Sequence, residues 1–518
     1  MPPAPSSPDP TPSTPSPSSP KNARPAPLLC RTGIPGLDDI LGGGLPAHRL
    51  YLLKGDPGVG KTTVALQFLL EGIRHGEAVL YITLSETKEE MDLVAHSHGW
   101  TLDGMNLFEL ADKESQLQGS TENTFFHPAE VELNRTTNAL LDEVVRINPS
   151  RVVFDSLSEM RMLADTALRY RRQILQLKQF LAGRKCTVLF LDDCTSGADD
   201  LQVESIAHGV ISITLSSPDY GSARRRLIVQ KIRGQKFIDG FHDVVLREGG
   251  LVVFPRLVAA AHRSHVRGTS FASGIDELDA LLGGGLDRGT STMLMGPPGT
   301  GKSTLAVKFA HTAASRGERV LMLIFDETPD TLLNRARQLG MQLDEHVAAG
   351  LIDIRHIDPA EISPGELGDS IRSGVLQHGI RIVVIDSING YMNAMPAERH
   401  LNLQLHELLA FLNHQSVITL MVLAQQGLVG VMSSEVDLTY LADSVVLLRY
   451  YETCGTVRQA ISVIKKRSGN HERSIREIAV DAQGIRVGPP LVNLHGVLSG
   501  IPTLVTDPST FAQPAPAR

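Results

Sequence analysis

The chain has 518 residues, a net charge of −8, 42% hydrophobic residues and 20% charged residues, which is the balance of an ordinary soluble globular protein. At roughly 150 residues per domain, this length predicts two to four domains. The charge excludes a global basic field for nucleic acid or anionic lipid, and no apolar stretch approaches the roughly 18 residues that span a membrane.

The N-terminal segment, residues 1–28, consists almost entirely of Pro, Ser, Ala and Thr. Such a segment buries too little apolar surface to offset its ordering entropy, so we expect a disordered tail. A second flexible tail is expected at 509–518. The start of the chain lacks the charged and apolar regions of a signal peptide, and the four cysteines are scattered without metal-ligand spacing. These features predict a reduced, cytoplasmic setting.

The first candidate site is a glycine-rich loop at 55–62, with the sequence G-D-P-G-V-G-K-T. An apolar run precedes it and a helical pattern follows it, which is the context in which this motif binds phosphate. Glycines let backbone N–H groups turn inward around phosphate oxygens. The Lys61 ammonium would reach the β- and γ-phosphates, and the Thr62 hydroxyl would help to hold Mg²⁺. A chance glycine-rich turn is the alternative. The predicted nucleotide ligands are Gly55, Gly58, Gly60, Lys61, Thr62 and Thr63.

After this loop, short β-rich runs alternate with longer amphipathic segments. The runs lie at 79–84, 151–154, 187–191 and 210–215. Strands that are apolar on both faces and separated by helices predict an α/β domain, with a mostly parallel sheet flanked by helices.

Two acidic residues follow strands of this predicted sheet. Asp155 ends the run at 151–154, where a carboxylate suits Mg²⁺ through its water shell; an acidic helix cap is the structural alternative. Glu86 follows the run at 79–84, where a carboxylate can orient an attacking water or hydroxyl. A solvated strand-end acid is the alternative for Glu86.

A hairpin is predicted from 210–216 to 227–232, and its far end carries Lys231 and Arg233. A basic pair so far from its own phosphate loop could enter a neighbouring protomer's site and neutralise γ-phosphate charge. A solvated charge run is the alternative. The basic triplet at 224–226 lies in a predicted turn without a series of aromatic residues, so we expect it to be solvated rather than bound to nucleic acid.

The whole pattern occurs twice in the chain. Residues 32–45 match residues 273–286, with Asp38 aligned to Asp279, an offset of 241. Two long copies at this spacing indicate a tandem domain duplication rather than a solenoid. The predicted domains are 29–262 and 263–508.

The second copy repeats the chemistry of the first. Its loop at 296–303 reads G-P-P-G-T-G-K-S and keeps every defining residue, so both copies are expected to bind ATP with Mg²⁺. Its predicted strands are 320–325, 381–385, 418–423 and 444–450, the last opening a second hairpin. Its predicted nucleotide ligands are Gly296, Gly299, Gly301, Lys302, Ser303 and Thr304. The counterpart metal ligands are Ser303 and Asp386, the strand-end acids are Asp326 and Glu327, and the basic pair is Lys465 and Arg467.

This arrangement resembles the KaiC family of RecA-type ATPases over about residues 29–508. The resemblance rests on G-I-P-G-L-D at 33–38, the triple glycines, both phosphate loops, S-E-T at 85–87, D-E-T at 326–328 and G-V-L-S-G-I-P-T at 496–503. It implies two tandem RecA-like P-loop NTPase domains in a double-ring homohexamer. It also implies ATP between protomers, slow hydrolysis in the first domain and serine/threonine autokinase activity in the second.

The resemblance also implies residue roles. Glu86 becomes the base for water in the first domain, and Asp326, beside Glu327, becomes the base for a receiving hydroxyl in the second. The residues on trans-acting basic positions are Lys231, Arg233, Lys465 and Arg467.

The sequence departs from the clock members of this family at the acceptor. Those members carry adjacent Ser-Thr hydroxyls before the last long strand, whereas this chain has Thr439 and Tyr440. Thr439 is therefore the one candidate phosphoacceptor, and a two-site phosphorylation cycle is not implied. Asp326 is one methylene shorter than the family's usual glutamate, and Ser85 stands where clock members have another acid. We expect a KaiC-like ATPase in signalling or clock-like regulation rather than a circadian oscillator.

Two other functions remain open from the residues alone. RecA-type cores also serve as DNA-dependent ATPases and recombinases, but the negative charge and the lack of interleaved aromatic and basic residues disfavour nucleic acid. The second alternative is a regulatory scaffold that ATP assembles with little turnover, which retention of Glu86 and Glu327 disfavours. The expected partners are further copies of the chain and regulatory or signalling proteins, without a membrane.

Overall fold

The computed structural model describes residues 28–109, 128–164, 166–193, 200–218, 221–258, 269–358, 360–393, 400–427, 438–499 and 502–504. The two predicted tails, apart from Leu28, and the predicted domain boundary at 262 lie outside these residues. Within the described part of the chain, no helix is both long and apolar enough to cross a membrane.

The first domain contains strands and helices in alternation. Its strands are β1 (Leu29–Cys30), β2 (Leu45–Pro46), β3 (Leu50–Gly55), β4 (Val79–Thr83), β5 (Asn106–Glu109), β6 (Arg151–Asp155), β7 (Thr187–Asp193), β8 (Gly209–Ser216), β9 (Arg224–Ile232), β10 (Phe241–Arg247) and β11 (Gly250–Phe254). Its helices are α1 (Leu37–Ile40), α2 (Lys61–Arg74), α3 (Lys88–Ser97), α4 (Pro128–Ile147), α5 (Leu157–Leu163), α6 (Ala167–Gly183) and α7 (Asp200–Ile206).

The second domain repeats this order. Its strands are β12 (Ser270–Phe271), β13 (Leu286–Asp287), β14 (Ser291–Gly296), β15 (Arg319–Ile324), β16 (Ile352–His356), β17 (Ile380–Asp386), β18 (Ile418–Ala424), β19 (Ser444–Thr453), β20 (Thr456–Lys466), β21 (Arg476–Asp481), β22 (Gly484–Pro490), β23 (Leu494–His495) and β24 (Thr503–Leu504). Its helices are α8 (Asp276–Leu281), α9 (Lys302–Ser315), α10 (Pro329–Gln338), α11 (Leu343–Ala348), α12 (Pro364–His378), α13 (Ile388–Asn393) and α14 (Leu401–His414), with a 3₁₀ turn at Val497–Ser499.

Each domain is built on one large sheet, which has nine strands in the described residues. The orders are β11-β10-β9-β8-β3-β7-β6-β4-β5 and β16-β15-β17-β18-β14-β19-β20-β21-β22. Six neighbouring strands in each sheet are parallel, and three more are added by antiparallel pairing. The predicted mostly parallel α/β sheets and their first hairpins are confirmed. The second hairpin of each copy, β10–β11 and β21–β22, was not predicted.

Alternating side chains explain why helices cover both faces of these sheets. On β4, Val79 and Tyr81 pack into one hydrophobic cluster, whereas Leu80 and Ile82 pack into another on the opposite face. All four are nearly inaccessible to solvent. Because successive strand residues point to opposite faces, a strand that is apolar throughout needs a cover on each side.

A buried arginine fixes the start of strand β6. Arg151 is 2% exposed. Its Nε and Nη2 donate to the two carboxylate oxygens of Glu77 at 2.6 and 3.1 Å. Its Nη1 donates to the carbonyl oxygens of Arg31 and Phe68 at 2.7 and 2.9 Å. The guanidinium therefore links the first segment of the domain, helix α2 and the sheet.

We expect Arg151→Met to lower the free energy of unfolding of the first domain by about 2–4 kcal/mol, because the carbonyls and the carboxylate lose a charged donor. Trp100 is the chain's single tryptophan and lies in this domain, so urea unfolding followed by its fluorescence reports the change. Arg74→Met removes an exposed ion pair with Glu71 and should leave the midpoint unchanged. Equal urea midpoints for Arg151→Met and the parent would show that the Arg151 guanidinium does not stabilise the first domain.

Candidate active sites

Each phosphate loop joins the central strand of its sheet to a buried helix. The first loop runs from β3 to α2 and the second from β14 to α9. A Cβ at Gly55 would lie 2.4 Å from the carbonyl oxygen of Ile213, and one at Gly296 would lie 2.3 Å from that of Leu448. The neighbouring strand thus excludes any side chain at the first loop position. Gly60 and Gly301, the residues before each lysine, have left-handed φ values of 104° and 90°.

The lysine of each loop is folded back onto the loop's carbonyl groups. Lys61 Nζ donates to the carbonyl oxygens of Gly55 and Asp56 at 2.7 and 3.0 Å. Lys302 Nζ donates to the carbonyl oxygen of Pro297 at 2.7 Å. The two residues are 8% and 6% exposed. Burial lowers the pKa of Lys302 to about 8, although Asp386 opposes this shift. Each site therefore holds a buried cation beside a glycine loop.

The two lysines differ in their counter-charge. Asp193 Oδ1 lies 2.6 Å from Lys61 Nζ. Asp193 on β7 is the register partner of Gly55 on β3. In the second sheet, the residue paired with Gly296 in the same way is Ala424. In the described residues, no carboxylate lies within ion-pair distance of Lys302 Nζ. Asp193 was not predicted from the sequence, although it lies at the end of an apolar strand, the same signal that identified Asp155.

The two predicted metal-ligand pairs meet beside the loops. Asp155 accepts a hydrogen bond from Tyr81 Oη at 2.6 Å, and the Thr62 side chain lies close enough to favour its ionised form. The Ser303 side chain favours the ionised form of Asp386 in the same way. Burial raises the pKa of both carboxyl groups despite these neighbours. Hydroxyl and carboxylate oxygens are ligands that Mg²⁺ prefers.

These pairs supply few ligands by themselves. In the described parts of the chain, no group of three or more His, Cys, Asp or Glu residues could hold a metal. A Mg²⁺ here would take water and phosphate oxygens for its remaining ligands, as this ion commonly does. Thr63 and Thr304, also predicted as nucleotide ligands, are 4% and 7% exposed. The Thr63 hydroxyl lies 3.4 Å from His98 Nε2.

Glu86 lies at the carboxyl end of the first sheet with one unpaired oxygen. Its backbone N–H donates to Thr83 Oγ1 at 2.8 Å, which fixes the turn after β4. Its Oε2 is buried and has no hydrogen-bond partner in the part of the chain that the structure describes. Burial, followed by the charges of Asp155, Glu90 and Asp193, raises the pKa of Glu86 to about 7, and Lys61 opposes the shift. The result is a carboxylate that exchanges a proton near neutral pH.

The corresponding acids of the second domain are both partnered. Arg335 donates from Nη1 and Nη2 to the two oxygens of Glu327, at 2.8 and 2.7 Å. Ser387 Oγ donates to Asp326 Oδ2 at 2.6 Å. Arg335 was not predicted from the sequence because it lies on helix α10, outside every motif. Comparison of the two repeats at the 241-residue offset would have singled it out, because Val94 stands in its place in the first copy.

The predicted basic pairs lie far from their own phosphate loops. Gly55 pairs with Ile213, which pairs with Leu227, and Lys231 lies four residues further along β9. At about 3.3 Å per residue, this separation is roughly 13 Å. Lys231 Nζ donates to the carbonyl oxygen of Glu204, and Arg233 Nη2 donates to that of Ser205 at 2.8 Å.

The second basic pair lies at the end of β20, just as the first lies at the end of β9. Lys465 Nζ donates to the carbonyl oxygens of Thr439 and Ala442 at 2.8 and 2.7 Å. Arg467 Nη2 donates to the carbonyl oxygen of Tyr440 at 3.0 Å. The candidate acceptor Thr439 is therefore beside the second basic pair rather than beside its own phosphate loop.

The basic triplet at 224–226 is half-buried and lies in strand β9, so its prediction as a solvated turn was wrong. Arg224 Nη2 donates to the carbonyl oxygen of Ala360 in the second domain at 3.1 Å. Arg225 Nη2 lies 3.5 Å from the carbonyl oxygen of Gly58 in the first phosphate loop. The strand β9 begins at Arg224, so the triplet is part of the sheet and contacts both domains.

Comparisons with known proteins agree with this geometry. The family model for the KaiC ATPase matches residues 30–258 and again residues 271–492. The circadian clock protein KaiC3 of Synechocystis sp. (strain ATCC 27184 / PCC 6803 / Kazusa) is 26% identical over 479 residues, which cover 91% of this chain and 94% of that protein. The circadian clock oscillator proteins KaiC of Picosynechococcus sp. (strain ATCC 27264 / PCC 7002 / PR-6) and of Synechococcus elongatus (strain ATCC 33912 / PCC 7942 / FACHB-805) are 27% and 26% identical, each over 92% of both chains.

Proposed function

The chain belongs to the KaiC family of ATPases, and we propose that it is a ring-forming ATPase that binds one ATP with Mg²⁺ in each domain. The observation that carries this proposal is the pair of buried lysines, Lys61 and Lys302, each at the start of a helix behind a glycine loop. A buried cation that faces an anion-binding helix end suits the β- and γ-phosphates of ATP. The proposed metal ligands are Thr62 with Asp155 and Ser303 with Asp386.

In the first domain, Glu86 is the proposed general base for hydrolysis. Its unpaired Oε2 can accept a proton from the attacking water while the water oxygen bonds to the γ-phosphorus. The bond to the bridging oxygen then breaks and ADP leaves. When bound, Mg²⁺ would add charge neutralisation on the phosphates to that supplied by Lys61.

The four basic residues complete each site across a protomer boundary in this proposal. Lys231, Arg233, Lys465 and Arg467 lie too far from their own loops to reach a bound γ-phosphate in the same domain. A homohexamer with nucleotide between protomers gives them a neighbouring site, where a cation stabilises the charge of the transferring phosphoryl group.

In the second domain, we propose autophosphorylation of Thr439 with Asp326 as the base. Asp443 N donates to the carbonyl oxygen of Ser291, the first residue of β14, whereas the phosphate loop begins at the other end of that strand. Thr439 therefore lies roughly 17 Å from its own loop, at about 3.3 Å per residue over the six residues of β14. Transfer would consequently occur from one protomer to its neighbour.

The biological role that fits this chemistry is regulation. The relatives named above are circadian clock proteins. In a ring with slow turnover, the phosphorylation state would persist long enough for partner proteins to bind one state in preference to another. We propose signalling or clock-like regulation in which regulatory proteins bind the ring, in the cytoplasm.

The first test is steady-state ADP release from Lys61→Ala, Lys302→Ala and the double variant. We expect the double variant to lose ATP hydrolysis, because neither γ-phosphate is then neutralised. Arg49→Ala, at an exposed position before β3, is the matched control and should hydrolyse ATP at the parent rate. Parental turnover in the double variant would show that these loops are not the sites.

The second test uses the raised pKa of Glu86. Only the ionised carboxylate accepts a proton, so hydrolysis by the Lys302→Ala variant should rise from pH 6 to pH 8 with a midpoint near the Glu86 pKa of about 7. Glu86→Gln should abolish the rise and lower the rate by about a hundredfold. A flat pH profile in the Lys302→Ala variant, or the same rising profile after Glu86→Gln is added to it, would exclude Glu86 as the base.

The third test distinguishes transfer between protomers from transfer within one. Lys302→Ala chains keep the acceptor but lack the second-domain lysine, and Thr439→Ala chains have the reverse defect. Rings assembled from both together should carry phosphate on Thr439 of the Lys302→Ala chain, as read by phosphopeptide mass spectrometry. Phosphate found only when Lys302 and Thr439 share one polypeptide would contradict transfer between protomers.

A further inference from the structure

The strand-end glutamates of the two domains have different surroundings. Both oxygens of Glu327 accept hydrogen bonds from the guanidinium of Arg335, and Glu327 is 18% exposed. Glu86 occupies the same position in the first domain, and its Oε2 is buried without a hydrogen-bond partner among the described residues. The first site thus presents an unpaired carboxylate oxygen, whereas both carboxylate oxygens of Glu327 are hydrogen-bonded in the second.

This difference traces to one residue on equivalent helices. Helices α3 and α10 each have ten residues and each begin directly after a threonine cap, Thr87 or Thr328. The seventh residue is Val94 in α3 and Arg335 in α10. Side chains on a helix lean toward its N-terminus, so this position faces back toward the strand end. Val94 packs against the first domain's core, and its side chain has no donor for a hydrogen bond to Glu86.

The fork of a guanidinium matches the two oxygens of a carboxylate. A carboxylate bound in this way has one lone pair of each oxygen directed at the guanidinium, which leaves fewer lone pairs to orient water. Asp326, in contrast, accepts its hydrogen bond from Ser387 through Oδ2 alone. Of the two adjacent acids in the second domain, the shorter one therefore keeps an oxygen for a proton.

We propose that Arg335 is a positioning residue that withholds Glu327 from water, so that the second site keeps its ATP for transfer to a hydroxyl while the first site hydrolyses it. The inference rests on the proposed ATPase function. In the transfer, the acceptor oxygen bonds to the γ-phosphorus, the bond to the β–γ bridging oxygen breaks with its electron pair on ADP, and the hydroxyl proton goes to Asp326. Hydrolysis is the same exchange with water in place of the hydroxyl.

The experiment isolates the second site with Lys61→Ala and then changes Arg335. Arg335→Val installs the residue of the first domain. It should raise kcat for ADP release by about tenfold, because a general base contributes at least that much. The KM for ATP should not move, since the phosphate loop is untouched. Arg335→Lys keeps a cation but not the fork, and it should give an intermediate kcat.

The reciprocal change tests the same idea in the other domain. In a Lys302→Ala background, Val94→Arg should place a guanidinium beside Glu86 and lower kcat by about tenfold. Val94→Leu is the matched control and should keep the parent kcat. Fluorescence of Trp100 checks that the first domain remains folded in both variants.

Three outcomes decide the proposal. A raised kcat in Arg335→Val together with a lowered kcat in Val94→Arg supports it. An unchanged or lower kcat in correctly folded Arg335→Val overturns it, because Arg335 would then be neutral or would orient Glu327 for hydrolysis. If Arg335→Val does not fold, Val94→Arg alone decides, and an unchanged kcat there overturns the proposal. Failure of the ATPase function itself would appear separately, as full turnover in the Lys61→Ala, Lys302→Ala double variant.

Discussion

A lysine ammonium buried at the carboxyl edge of each sheet is the feature on which both sites depend. Lys61 and Lys302 can be buried because loop carbonyls accept hydrogen bonds from their ammonium groups, and the loop can curl around each lysine because glycines within it adopt left-handed φ values. A buried charge carries a large cost in free energy unless it is paired. The pocket is therefore organised for an anion, and the strand-end acids and hydroxyls lie where a cation would bridge to that anion.

The same scaffold carries two different charge balances. In the first domain, Asp193 compensates Lys61 and Glu86 retains an unpaired oxygen. In the second domain, the residue equivalent to Asp193 is Ala424, which has no charge to compensate Lys302. Arg335 there donates hydrogen bonds to both carboxylate oxygens of Glu327. Both sheets keep the same nine-strand arrangement despite these differences. In our proposal, a few substitutions at the edge of the sheet assign different reactions to the two copies.

Much of this was predictable from the sequence because the determining patterns are local. The phosphate loops, the apolar strands that end in Asp155 and Asp386, and the first hairpin of each copy follow from short motifs and from their repetition. The partners across the sheet were not predictable in the same way. Asp193, Tyr81 and Arg335 reach the sites through strand register or helix geometry, which join residues that are distant in sequence. The misjudged triplet at 224–226 shows the same limit, since its contacts with Gly58 and Ala360 arise from the tertiary fold.

The central claim is that one polypeptide holds two nucleotide sites of equal architecture. The most direct measurement is an equilibrium titration of the full chain with a non-hydrolysable ATP analogue and Mg²⁺, counting bound nucleotide per polypeptide. The account predicts two per chain, and one per chain when either Lys61 or Lys302 is replaced by alanine. A saturated value of one in the parent would contradict it.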